Sequence, residues 1–168
     1  MALNDLLLTE FDTETATTRR MLERVPDGKT GWQPHPRSMT LGRLATHLAE
    51  IPAWIGRVLS QSEFDIAPPG GPPYNPRVVE TTAERLALFD KNVAEGRRAL
   101  VAAGDAEFTR PWTFRRGGQT VWAKPRYEVL RSMAMNHLVH HRAQLGVYLR
   151  LNEVPIPGSY GPSADEKR

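Results

Sequence analysis

The sequence predicts an all-α fold, a four-helix bundle formed by a single domain over residues 1–168. Three observations predict it. Four stretches of roughly 20 residues carry apolar side chains at helical spacing. Segments rich in Pro and Gly separate them. A chain of 168 residues with 40% hydrophobic content suits one core.

The first helix is expected over about residues 3–25. Leu3, Leu7, Phe11, Thr15 and Leu22 form its stripe, and Pro26-Asp27-Gly28 stops it. Residues 31–38 are a loop, with His35 held between Pro34 and Pro36 and so kept out of a helix. Ser38 or Thr40 caps the second helix. Its apolar face is Leu41, Leu44, Leu48, Ile51, Ile55, Val58 and Leu59, and Pro52 should kink it without ending it. Residues 62–79 contain Ala67-Pro68-Pro69-Gly70-Gly71-Pro72-Pro73 and read as a long structureless crossover, a candidate lip over a site. Thr81 and Glu84 make a capping box that opens the third helix, which runs to about Ala103 and ends at Gly104-Asp105. Trp112-Thr113-Phe114 and Gln119-Thr120-Val121-Trp122 flank Arg115-Arg116-Gly117-Gly118, a hairpin-like excursion. The fourth helix is expected from Arg126 to Leu151, behind Pro125, with Val129, Leu130, Met133, Leu138, Leu145 and Leu149 inward. An extended tail follows, laid on the bundle through Val154, Ile156 and Tyr160, with residues 165–168 expected to fray.

Composition excludes several functions. A net charge of +3 is too small to argue for nucleic acid, and the Arg pairs are interspersed with acids. Without cysteine there is no disulfide and no protein thiolate to act as nucleophile or ligand. No window approaches a membrane span, and the N-terminus lacks a signal-peptide pattern, so a cytoplasmic protein is expected.

The chemistry concentrates in Asn136-His137-Leu138-Val139-His140-His141-Arg142-Ala143-Gln144-Leu145. His137 and His141, four apart, leave one helix face together. His47 is the remaining histidine on a helical core face, at the edge of the second helix's stripe. Three imidazoles from two helices make a divalent-metal site with an open fourth position. His140, three residues from His137, competes with His141 as ligand, or else sits beside the site. Imidazole suits zinc, nickel, iron and copper alike. Glu50, one turn from His47, is the candidate general base. Arg142 is a candidate anion anchor and Gln144 a candidate for orienting a ligand, against ordinary roles as ion pair and packed amide.

Two segments, Thr40-Leu41-Gly42-Arg43-Leu44-Ala45-Thr46-His47-Leu48-Ala49-Glu50 and Asn136 to Leu145, resemble the DinB-like (DinB/YfiT-like) family of bacterial four-helix proteins. The ending Val154-Pro155-Ile156-Pro157-Gly158-Ser159-Tyr160-Gly161-Pro162-Ser163-Ala164-Asp165-Glu166 resembles that of one subgroup. The resemblance spans almost the whole chain. Ala143 departs mildly from the family's usual small residue before Gln. The family pattern, one His on helix 2 and His-x-x-x-His on helix 4, falls on His47, His137 and His141 and makes His140 a neighbour. The resemblance implies a four-helix bundle with a long helix 2–helix 3 crossover, damage-inducible expression, a homodimer, and zinc or nickel, or else iron. It also implies a metal-dependent hydrolase or a thiol S-transferase using a low-molecular-weight thiol on a small-molecule substrate. The alternative is a non-catalytic bundle whose metal is structural.

Overall fold

The computed structural model describes residues 2–72 and 75–166. The chain is mostly helical and carries a small three-stranded sheet, so the all-α expectation is corrected. Helix α1 spans Leu3–Leu22 and buries Leu7, Phe11, Met21 and Leu22. Helix α2, Leu41–Glu50, starts behind Thr40, whose hydroxyl accepts the Arg43 N–H at 3.2 Å. Of the two caps offered by the sequence, Thr40 is the one used.

At Ile51-Pro52 the helix breaks and resumes as α3, Ala53–Ser60. Pro52 keeps helical angles (φ −58°, ψ −25°) but has no N–H to give. The chain tightens here, with Trp54 N–H donating to Ile51 O and Ile55 N–H to Pro52 O. Asn92 of helix α4, Thr82–Ala102, covers the break by donating to Ala49 O at 2.8 Å. Thr81 caps α4 as expected, its hydroxyl accepting the Glu84 N–H at 3.3 Å and donating to the Glu84 carboxylate at 2.8 Å, and α4 ends one residue before the expected Ala103.

The crossover is not structureless. Glu63–Asp65 forms strand β1, which pairs in parallel with β2, Pro111–Arg116, so that Phe64 stands opposite Phe114. Asp65 fixes the next turn by accepting the N–H groups of Gly117 and Gly118. Both glycines have positive φ (60° and 77°), the two-residue hairpin geometry that L side chains resist. Strand β3, Gln119–Pro125, closes the antiparallel hairpin. A short helix that the sequence reading missed, α5 at Asp105–Thr109, buries Phe108 between α4 and β2 in chain order.

The last long helix has three parts. Helix α6, Arg126–Val129, leads into a π-helical turn, Leu130–Asn136, and then α7, His137–Leu151. Two apolar clusters make the core. One joins Leu22, Leu44, Leu48, Phe89, Leu145 and Leu149; the other joins Phe11, Ile55, Leu100, Phe108, Trp112 and Leu130. Val154 and Ile156 of the tail pack on the first. Instead of fraying, Asp165 binds Arg150 at 2.6 Å and the Ile156 N–H at 2.9 Å, and Glu166 accepts the Gly158 N–H. The expectation for residues 167–168 lies outside the described residues. Among the described residues no helix is long and apolar enough to cross a membrane.

Candidate metal centre

His47 stands in the last turn of α2, before the Pro52 break, and His137 opens α7 after the π turn. The π turn matters locally. In an α-helix the His137 N–H would meet the Met133 carbonyl; here it goes to Ala134 O. The Met133 carbonyl lies 3.3 Å from His137 Nδ1 and takes that ring proton. One turn on, His141 Nδ1 lies 2.7 Å from Gln144 Oε1. Both Nδ1 atoms therefore face acceptors, which places the proton of each neutral ring on Nδ1. Their Nε2 lone pairs then point at each other, 2.7 Å apart. His47 Nε2 joins them at 3.2 Å from His137 Nε2. The three rings offer nitrogens that all lie within 4.8 Å of one another.

Burial favours the neutral form of His137 and His141. It lowers the pKa of His137, helped by the nearby His47, and lowers that of His141 to about 4 even though Gln144 opposes the shift. Two unprotonated nitrogens at 2.7 Å repel, and a cation between them removes the repulsion. An ion roughly 2.0–2.1 Å from each nitrogen in a tetrahedral site would hold them about 3.3 Å apart. The observed 3.2 and 2.7 Å both lie below that figure, and small outward side-chain shifts would fit the donor set to one divalent ion.

Glu50 shares this end of the site. Its carboxylate sits 3.9 Å from His47 Nδ1, 3.0 Å from Arg43 Nη1 and 3.7 Å from Arg77 Nε. Burial raises its pKa, but the His47 contact and Arg43 outweigh it and the net shift is downward. His140 is exposed, with its ring edge-on to His141 at 4.9 Å. Gln144 touches the centre only through His141. Arg142 is not brought to it. That side chain is buried, paired with Glu14 at 2.6 Å and bonded to Thr18 Oγ1 and to the Tyr160 hydroxyl at 2.8 Å. Of the two roles offered for Arg142, anion anchor and ion pair, these contacts are those of the ion pair. His35 remains a surface-loop residue whose Nδ1 accepts the Arg37 N–H.

A cavity of about 520 Å³ opens beside His47 and His137. Glu50, Trp54, Arg57, Phe64, Phe114 and Met133 are among its walls. Sequence reasoning missed Arg57 and Phe64. Arg57 had no motif, and Phe64 reaches the site only through the unforeseen strand β1.

Fold and centre together define a mostly helical protein with three histidines, on two helices, arranged to hold one cation. A family model for the DinB superfamily matches residues 10–145, and the chain belongs to that superfamily. It is similar to the uncharacterized protein YrdA of Bacillus subtilis (strain 168), 25% identical over 162 residues, covering 96% of this chain and 90% of the relative. Among solved structures it resembles a DinB-like protein from Bacillus cereus ATCC 10987, with a TM-score of 0.70 at 23% identity, covering 92% of this chain and 95% of that one. A DinB-like protein from Bacillus subtilis, YjoA, gives a TM-score of 0.68 at 15% identity, covering 92% and 96%. At these identities the structural likeness speaks for the fold alone.

Proposed function

We propose that this chain is a metal-dependent enzyme, a hydrolase or a thiol-dependent S-transferase, with a divalent ion on His47, His137 and His141. The reading includes a four-helix bundle framed by α1, α2–α3, α4 and α6–α7, one domain over residues 1–168, and a homodimer. The convergence of the Nε2 lone pairs, with the Nδ1 protons of His137 and His141 turned outward to Met133 O and Gln144 Oε1, carries the metal assignment. Zinc and nickel suit the all-imidazole donor set, and iron is also accommodated.

Bound there, such an ion supplies Lewis acidity and makes a ligated water or low-molecular-weight thiol acidic near neutral pH. The chain's own residues do the rest. Gln144 and the Met133 carbonyl fix the orientation of the His141 and His137 rings, beside the cavity that His47 and His137 line. Glu50, held ionised by Arg43, takes a proton at its carboxylate from a group entering beside His47. Trp54, Phe64 and Phe114 exclude water from the apolar part of the cavity.

Elemental analysis of tag-free protein tests the reading, followed by esterase, amidase and thiol-transfer screens on the loaded form. One divalent ion per chain in the wild type, lost in His137→Ala, together with turnover that a chelator abolishes, is the expected result. Protein that takes up no ion under any loading regime overturns the metal assignment. Loaded protein with no turnover leaves a structural metal as the function and ends the enzyme reading.

A further inference from the structure

Arg57 is the cation in the cavity that the proposed chemistry leaves unused. It projects from α3, ten residues past His47, and lines the same 520 Å³ space. Its guanidinium carbon lies 4.7 Å from the Trp54 ring centroid and 4.4 Å from that of Phe64. Those two rings meet edge to face at 5.2 Å and 85°, which makes a corner that holds the guanidinium in place. Among the described residues it has neither a carboxylate partner nor a hydrogen-bond acceptor. The other partly or wholly buried arginines behave differently. Arg142 pairs with Glu14, Arg126 with Glu107, Arg115 with Glu63, and Arg85 donates to Val79 O and Glu80 O. Burial lowers the Arg57 pKa with no acid to raise it again, as for a cation that has lost water without gaining a counter-charge.

The remaining charges on the cavity wall are Glu50 and Arg77, which face each other at 3.7 Å, so Arg57 tips the wall positive. Phe114, Ile66 and Met133 line the same space and supply apolar surface. A fixed, planar, unpaired guanidinium is the group best shaped to take a carboxylate through two parallel hydrogen bonds. The volume falls in the range of small-molecule sites.

We infer that Arg57 binds the carboxylate of the substrate, and that this substrate also carries an aromatic or other apolar body. The inference deepens the enzyme reading above and rests on it for the word substrate, but the binding event stands on Arg57 and the cavity alone.

Calorimetric binding of 4-phenylbutanoate and of its neutral amide to metal-loaded protein tests it. The acid is expected to bind tighter than the amide by roughly tenfold or more, the scale of a charge-assisted hydrogen bond. Arg57→Gln should bring that ratio close to one, and Arg57→Lys should restore part of it. His137→Ala, measured in chelator, should keep the preference for the acid, which separates this inference from the metal assignment. Absence of binding by either compound overturns it. So does a ratio that survives Arg57→Gln, or one that disappears in His137→Ala, since the carboxylate would then be reading the ion. If Arg57→Gln does not fold, phenylglyoxal labelling of the wild type decides. Protection of Arg57 by the acid and not by the amide supports the inference, and equal labelling with both refutes it.

Discussion

A cation held by His47, His137 and His141 would tie α2 to α7 and so stabilise the folded chain, whose ligands are gathered, over the unfolded one. The size of the effect follows from mass action. At about one hundred times Kd, an ion that binds only the folded state adds about 2.7 kcal/mol. A chain of 168 residues unfolds with an entropy of about 0.35 kcal/mol/K near its midpoint, so the melting temperature should rise by about 8 °C. The assay is differential scanning fluorimetry on tag-free protein, stripped with chelator and then titrated with zinc, nickel or ferrous iron. His137→Ala is the decisive variant, because His137 Nε2 lies nearest to both of the others, at 3.2 and 2.7 Å. It should show no metal-dependent rise. Without metal it should be about as stable as the wild type, since the repulsive nitrogen pair is gone. A rise of equal size in wild type and variant would show that the ion binds elsewhere, and the geometry argued above would lose its meaning.

Three further outcomes follow from particular contacts. Gly96→Ala sets a helix-propensity gain of about 0.5–1 kcal/mol against a Cβ that would stand 2.8 Å from Pro52 O and 3.2 Å from Phe11 Cζ. Overpacking of that kind costs about 1–3 kcal/mol, so the variant should be less stable in urea denaturation; a more stable one refutes the close approach of α4 to the kink. Glu14→Ala strands the buried Arg142 and should cost about 3–5 kcal/mol in the same assay. Glu14→Ala combined with Arg142→Met should recover much of that loss. Metal-free protein should lose stability on acidification: burial depresses His141 from 6.5 to about 4, so its contribution is whole above pH 6.5 and disappears as pH falls to about 4. The full swing is roughly 3 kcal/mol, and His141→Asn should flatten that part of the pH–stability curve.

Local chemistry was readable and long-range pairing was not. The caps at Thr40 and Thr81 and the Gly117-Gly118 turn each depend on residues a few positions apart, and each formed where the chain announced it. Pro52 interrupts the helix at the expected place, but as a break between α2 and α3 where a kink without an end was expected. His137 and His141 were likewise placed on one face by spacing, and His47 by its position on the stripe of the second helix. Strand β1 had no such signal. Three residues in a Pro- and Gly-rich stretch gain strand geometry only by pairing with Thr113 to Arg115, about fifty positions on. For Arg142 the sequence left an anion anchor and an ion pair both open, for the same reason. Its partners Glu14, Thr18 and Tyr160 come from the first helix and the tail, and nothing near it in sequence reveals them.

The two interruptions in otherwise regular helix lie on either side of the centre, and their positions make physical sense together. A carbonyl inside a continuous helix already accepts one N–H and has only its second lone pair to offer a ring that must be oriented. The π turn moves the His137 N–H off the Met133 carbonyl, which then receives the ring proton of the same residue. The Pro52 break ends α2 one turn after His47 and turns α3 so that Trp54 and Arg57 face the cavity His47 lines. Asn92, reaching from α4 to Ala49 O, keeps that break from exposing an unsatisfied carbonyl. Each irregularity costs regular hydrogen bonding, and each is compensated locally by one named side chain. Straightening either helix would therefore leave the histidines in the chain but take away the ring orientation and the walled space that give them a use.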